Sequence, residues 1–176
     1  MNAHSPASLV LPFSLLAACA SSPPALPADR ALATPTVSAN EHVRIEALWA
    51  MPVVSPGEEA ELVLTVHIAP GFHAYGHKET TNIPVALPAK ELQLDGLETV
   101  GAPVLPAGEH ANVHGVDTYP LPAKFTIAQR VRVPAAWRGG AAEVRGVLAY
   151  QLCNDTACYP PEKLAFTARL PVRAAP

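Results

Sequence analysis

Proline limits what this chain can fold into more than any other residue. The sequence holds 20 prolines in 176 residues, about twice the usual share of roughly 5%. Each fixes φ and removes a backbone donor, which argues against long helices. The apolar pattern beyond residue 40 points to strands instead. Val43, Ile45 and Ala47 alternate with Arg44 and Glu46, and Leu62, Leu64, Val66 and Ile68 alternate with Glu61, Val63, Thr65 and His67. Period two places each apolar set on one face of a half-buried strand. Between them, Ser55, Pro56 and Gly57 form a turn, because proline presets φ and glycine accepts φ > 0. Further strands are expected at 84–87, 92–94, 124–133, 143–151 and 164–172, with Gly139 and Gly140 as a turn. No segment carries a helical apolar stripe. The expected fold is all-β, an immunoglobulin-like antiparallel β-sandwich behind a disordered N-terminal signal and linker, with a small barrel as the alternative.

The N-terminal region reads differently from the body. The apolar stretch from Leu9 to Ala18 is ten residues long, too short for a bilayer core of roughly 30 Å. Followed by small residues, it has the pattern of an export signal, although no Lys or Arg precedes it and Pro12 interrupts it. The run Leu16, Ala17, Ala18, Cys19 looks like a bacterial lipobox, so Cys19 is the expected lipidation site. A plain apolar tail or a misassigned start is the alternative. The expected organisation is a signal over 1–19, a Pro/Ala/Ser-rich linker over 20–40 and a single domain over 41–176. The expected location is outside the cytoplasm, with membrane contact only through the lipid, and the resemblance described below narrows it to the periplasm. Net charge is −3 and Lys and Arg are scattered, a distribution unsuited to tracking a phosphate backbone, so no nucleic-acid partner is expected.

Of three cysteines, Cys19 leaves the count by processing, and Cys153 and Cys158 remain as an even pair. They fall in the connection between the strands expected at 143–151 and 164–172. Residues facing each other across such a pair have Cα atoms about 4.5–5.5 Å apart, within the roughly 4.4–6.8 Å range of disulfides. The pair serves redox exchange or stapling as a bridge, or metal binding as two free thiols. As a staple, closing a loop of about six residues contributes only around 2 kcal/mol, and a chain of this size can bury a core without it. For a metal, no third or fourth ligand stands at finger-like spacing. Redox exchange leads, with the other two open. A thioredoxin-type pair is acidified at a helix N-terminus; here no helix and no Lys or Arg before Lys163 does so. The disulfide is therefore expected to be opened by a partner's thiolate and to pass electrons on through a mixed disulfide, with no cofactor.

Other polar residues are secondary. His73 and His77, with His67, His110 and His114, could supply metal ligands, but loop or surface histidines are the simpler reading and no metal site is expected. Tyr75, Tyr119, Tyr150 and Tyr159 taken singly read as packing residues. Glu109 and Asp117 are candidate proton acceptors near a thiol.

The run Tyr150-Gln-x-Cys153-x4-Cys158-Tyr-Pro-Pro161-Glu resembles the redox motif of the N-terminal periplasmic domain family of the thiol:disulfide interchange protein DsbD. Ser55-Pro-Gly57 and Gly71-Phe-His-Ala-Tyr75 are similar to the family's first half, and residues 108–119 resemble its cap-loop region and the strand beyond. The resemblance covers roughly residues 41–172. It implies an immunoglobulin-like domain that acts as a protein-disulfide oxidoreductase component, exchanging electrons with thioredoxin-like periplasmic proteins or a membrane electron transporter. By the same resemblance Cys158 forms the mixed disulfide, Cys153 resolves it, and Phe72, Tyr75, Glu109, Val113, His114, Tyr119, Tyr150 and Tyr159 surround them. One member of the family has one more residue between its cysteines and an aromatic before its cap glycine, where Val113 and His114 precede Gly115 here. Neither the family's membrane electron channel nor its C-terminal thioredoxin-like domain is in this sequence, so a stand-alone domain is expected. The alternatives are a non-catalytic binding module with a structural disulfide and a metal-binding periplasmic domain.

Overall fold

The structure, a computed structural model, describes Met1 and residues 34–174. The lipidation site at Cys19 and most of the expected signal and linker lie outside the described residues. Every paired strand of the body is antiparallel to its neighbour, and Val54 adds one isolated parallel bridge to Val172. Strand β1 is Thr36–Ala39, β2 Val43–Trp49, β3 Glu59–Ile68, β4 Glu98–Val104, β5 Ala111–Val113, β6 Val116–Thr118, β7 Lys124–Arg132, β8 Ala141–Tyr150 and β9 Glu162–Pro171. One sheet has the order β1-β2-β3-β7-β4, β8 pairs with β9, and β5 with β6 makes a separate hairpin. A single 3-10 turn, Ala89–Glu91, is the only helical element among the described residues.

The period-two segments form strands because alternation lets one face of each bury apolar side chains while the other stays wet. On β3, Ala60, Leu62, Leu64, Val66 and Ile68 are all buried, and on β2 so are Val43, Ile45, Ala47 and Trp49. They meet Val144, Leu148, Tyr150, Phe166, Ala168 and Leu170 of β8 and β9 in one continuous core. The expected immunoglobulin-like sandwich is therefore the fold. Gln129 is the polar residue on the buried face of β7; its Nε2 donates to the Arg130 and Gly101 carbonyls at 2.7 and 3.4 Å. The second of these lies where β4 shifts register against β7.

Three expectations change. Residues 84–87 and 92–94 are not strands but isolated bridges, Ala86 to Ala149 and Gln93 to Arg145. Pro84 and Pro88, two residues either side of Ala86, lack the N–H that would extend the first of these ladders. Residues 36–39, expected at the end of an unpacked linker, are extended but paired with 44–47 as β1. Strands β4, β5 and β6 lie in segments without strict alternation. They sit at an edge or in a surface hairpin, where little is buried and the pattern is weak.

Gly146 interrupts the apolar run of β8 for a packing reason. It faces Phe166 across the β8–β9 ladder, and a Cβ built on it would lie 2.6 Å from Phe166 Cζ and 3.0 Å from Leu92 Cδ1. Phe166 is 2% exposed, so its ring has nowhere to go. Gly146→Ala, which elsewhere in a strand would help, should lower stability by about 1–3 kcal/mol through overpacking. A urea midpoint equal to or above the parent's would show that the ring can move.

Candidate functional site

Beyond β8 the chain turns back on itself at Asp155 and Thr156. Asn154 makes that turn: its Oδ1 accepts from the backbone N–H groups of Thr156 and Ala157 at 2.9 and 2.8 Å and from Thr156 Oγ1 at 2.9 Å. Two backbone bonds frame the pair that follows, Asn154 N to Ala157 O at 2.9 Å and Tyr159 N to Leu152 O at 2.8 Å. Cys153 and Cys158 thus face each other at a non-hydrogen-bonded position, the closer of the two antiparallel spacings. They form a disulfide with Cα atoms 3.9 Å apart, closer than the expected range. The two sulfurs differ in access: Cys153 is 1% exposed, whereas Cys158 is on the surface.

The strand-like segment after Gly71 lies against this hairpin. His73 and Cys153 exchange both backbone hydrogen bonds, each 2.9 Å. Phe72 stacks on His42 with centroids 4.3 Å apart and tilts against Tyr159 at 5.6 Å. Tyr159 also receives a bond from Asn154 Nδ2 on its hydroxyl at 3.2 Å. On the other side, the Tyr75 hydroxyl meets His73 Nε2 at 3.1 Å. Burial, helped by the nearby Glu79 charge, pushes the Tyr75 phenol above its ordinary pKa.

Glu79 organises the next turn. Its Oε1 accepts from the N–H groups of Thr80, Thr81 and Asn82 at 3.1, 2.8 and 3.1 Å, and its Oε2 from Tyr119 N at 2.8 Å. The side chain is 5% exposed. Burial alone would raise its pKa, but the four N–H donors outweigh it and hold the carboxyl below its usual value. Gly76 lets this turn approach the 106–108 backbone: a Cβ there would lie 2.2 Å from the Ala107 carbonyl carbon. The turn delivers Asn82, whose Oδ1 lies 3.7 Å from Cys158 Sγ.

The β5–β6 hairpin stands across from the disulfide hairpin. His114 and Gly115 both take positive φ, 53° and 85°, as a tight two-residue hairpin turn requires. Val113 is 52% exposed, and with Val116, Thr118, Tyr75, His73, Asn82 and Asn154 it lines an open groove of about 640 Å³. Asp117 lies outside that groove. Hydrogen bonds from Asn112 Nδ2 at 2.9 Å and from His110 Nε2 at 3.0 Å hold its carboxyl below the ordinary value. Glu109 is exposed, with its N–H on the Pro120 carbonyl. Tyr119 is half-buried, packs at 5.5 Å on His110 and gives its backbone to Glu79 and Gly76. Tyr150 belongs to the core; its hydroxyl donates to Glu162 at 3.1 Å and accepts from Asn40 at 2.8 Å. Burial chiefly pushes its pKa up to about 12.

The fold thus gathers Cys153, Cys158, Phe72 and Tyr159 on one side, with Tyr75 and Val113 along the groove. Glu79, Asn82 and Asn154 were missed from sequence. A Glu-Thr-Thr-Asn run reads as an exposed turn, and nothing local signals that its carboxylate is closed over by Tyr119, which lies 40 residues away. Among the described residues no three His, Cys, Asp or Glu side chains converge on a metal-sized site.

Glu79→Gln should cost about 1–3 kcal/mol at pH 7 by leaving buried N–H donors short of an acceptor. Because the folded carboxyl has the lower pKa, the parent's advantage should be full above the ordinary Glu value of about 4.3 and shrink as pH falls through the folded pKa. Urea unfolding of both proteins at pH 7 and pH 3 checks this; a gap that stays constant or widens in acid would contradict it.

Comparison with known proteins bears on the same segments. Among curated proteins none matches. Of solved structures, the N-terminal periplasmic domain of ScsB from Proteus mirabilis aligns with a TM-score of 0.49 and 16% identity over 75% of this chain, which spans 47% of that one. The reduced DsbD n-terminal domain of Neisseria meningitidis aligns with a TM-score of 0.35 and 18% identity, covering 82% of this chain and 94% of that one. The family described as thiol:disulfide interchange protein DsbD, N-terminal, matches residues 40–169. That span runs from just before β2 through both cysteines and most of β9, and the chain belongs to the family of DsbD N-terminal domains.

Proposed function

We propose that this domain relays electrons between thioredoxin-like proteins in the periplasm through reversible opening of the Cys153–Cys158 disulfide. The unequal exposure of the two sulfurs carries the reading. A partner thiolate reaches the exposed Cys158 Sγ, while the buried Cys153 is the leaving group. Attack forms a mixed disulfide at Cys158, breaks the Cys153–Cys158 bond and leaves the electron pair on Cys153 Sγ, which takes up a proton. The partner's second thiolate then attacks the partner's own sulfur in the mixed disulfide. Cys158 departs as a thiolate and is protonated in turn. The partner ends as a disulfide, its two protons released to solvent, and the domain holds two electrons. The reverse sequence passes them to an acceptor disulfide.

A stapling role has less support. The bridge closes a loop between residues only five apart, so it removes little freedom from the unfolded chain. Its entropic contribution is around 2 kcal/mol. The groove beside Cys158 and the exposed Val113, Val116, Ile83 and Tyr159 side chains offer an apolar rim of the kind a docking protein covers. A lipid on Cys19, read from the 16–19 run, would hold the domain at a membrane near a membrane electron transporter, a second candidate partner.

Cys153→Ala should accumulate mixed disulfides with thioredoxin-like proteins through Cys158, visible as adducts on non-reducing gels and located by mass spectrometry. Adducts through Cys153 alone in the converse Cys158→Ala variant, or none in either, would refute the assigned roles. The reduction potential of the pair should lie above about −300 mV, since lower values mark disulfides inert to exchange. Equilibration against glutathione or dithiothreitol buffers measures it.

A further inference from the structure

Asn82 has no role in the exchange described above, yet its carboxamide touches the sulfur that exchange acts on. Its Oδ1 lies 3.7 Å from Cys158 Sγ, within reach of the long, weak hydrogen bonds that thiols make. While the disulfide is intact that sulfur carries no hydrogen, and the contact is only van der Waals. After reduction the same sulfur becomes an S–H donor facing a carbonyl oxygen. Asn82 is half-buried, and its backbone N–H is fixed on the Glu79 carboxylate at 3.1 Å. Ile83 N, the next donor along, is held by Gln151 Oε1 at 3.1 Å, and Gln151 in turn donates to the Tyr159 carbonyl at 3.0 Å. Both sides of Asn82 are therefore tied, one to the buried Glu79 and the other to the disulfide hairpin itself.

We propose that Asn82 is a further catalytic residue of this site, accepting the hydrogen bond of the Cys158 thiol in the reduced domain, with Glu79 as its positioning residue. The inference rests on the exchange at Cys158 proposed above. A hydrogen bond to the neutral form of an acid disfavours its ionisation. Lys163, the basic residue nearest Cys158 in sequence, is taken up by Glu91 at 2.8 Å; of the ionisable groups that line the groove with Asn82, His73 is bonded to the Tyr75 hydroxyl at 3.1 Å and Asp155 is a carboxylate, which favours the neutral thiol as well. Asn82 thus keeps the exposed Cys158 a thiol, and a poor nucleophile, between donor and acceptor. A docking acceptor that displaces the carboxamide, or turns its Nδ2 toward the sulfur, frees the thiolate for attack.

The test uses the full chain carrying Cys153→Ala, so that Cys158 titrates without forming the bridge. Iodoacetamide alkylation of the Cys158-bearing peptide is followed by mass spectrometry from pH 5 to 10, which separates it from Cys19. The readout is the rate at pH 7 divided by the high-pH plateau, a ratio that reports thiolate fraction and is indifferent to steric access. Asn82→Ala removes the acceptor and should raise the ratio by more than about twofold. Asn82→Asp places a carboxylate beside the sulfur and should lower it by more than about twofold. Glu79→Gln should move the ratio in the direction of Asn82→Ala. Either Asn82 variant staying within about twofold of the parent, or both moving the same way, would overturn the proposal. Partner adducts are not part of this readout, so failure of the electron-relay reading and failure of this one are separately visible.

Discussion

Strand β3 is the member on which the rest of the sandwich depends. It is paired on both sides, with β2 over Leu62–Ile68 and with β7 over Glu59–His67, and its five alternate side chains from Ala60 to Ile68 are all buried. Burying a Leu or Val side chain stabilises by about 1.5–3 kcal/mol, so a one-residue slip of β3 would turn that whole set to solvent. Once its register is set, β2 and β7 are set with it. Their inner faces then demand a second apolar layer, which β8 and β9 supply. The disulfide hairpin is the extension of that second layer, so the position of Cys153 follows from the packing of β8.

Packing brings the site together, but polar groups give it shape. Two carboxamides and one carboxylate do most of this: Asn154 closes the hairpin tip, Glu79 gathers four backbone donors from two distant segments, and Asn82 is set against Cys158 as a result. A buried carboxylate is tolerable because its charge is matched by donors at hydrogen-bond distance. Gly76 belongs to the same device, since a side chain there would collide with the Ala107 carbonyl and lift the turn away. The outcome is a disulfide with one sulfur in the protein interior and one at the edge of an open groove. In the exchange proposed above, that asymmetry gives an incoming thiolate one accessible cysteine to attack.

Much of this was legible in the residues. Strict alternation identified β2 and β3, and the segments at β7, β8 and β9 were placed within a residue or two at most ends. The Cys-x4-Cys hairpin could be drawn from the two strands flanking it. Where the reading fell short, the missing information was non-local. Residues 84–87 look like a strand, yet their prolines allow only single bridges. Residues 36–39 look like linker, yet they find a free edge on β2. Tyr150 sits three residues from Cys153 and was grouped with the site, but the alternation of β8 turns it into the core, where Asn40 and Glu162 take its hydroxyl.

The sequence by itself determined the class of fold, the bonding of Cys153 to Cys158 as a local event, and the family to which both belong. These follow from short-range facts: side-chain period, proline geometry and a cysteine spacing that a hairpin can close. Tertiary structure alone decided which sulfur faces solvent, that Phe72 and Tyr159 share one flank, and that Glu79 and Asn82 belong to the site at all. Each of those depends on segments tens of residues apart meeting at hydrogen-bond or van der Waals distance, and such meetings are set by the register of two packed sheets rather than by any local pattern.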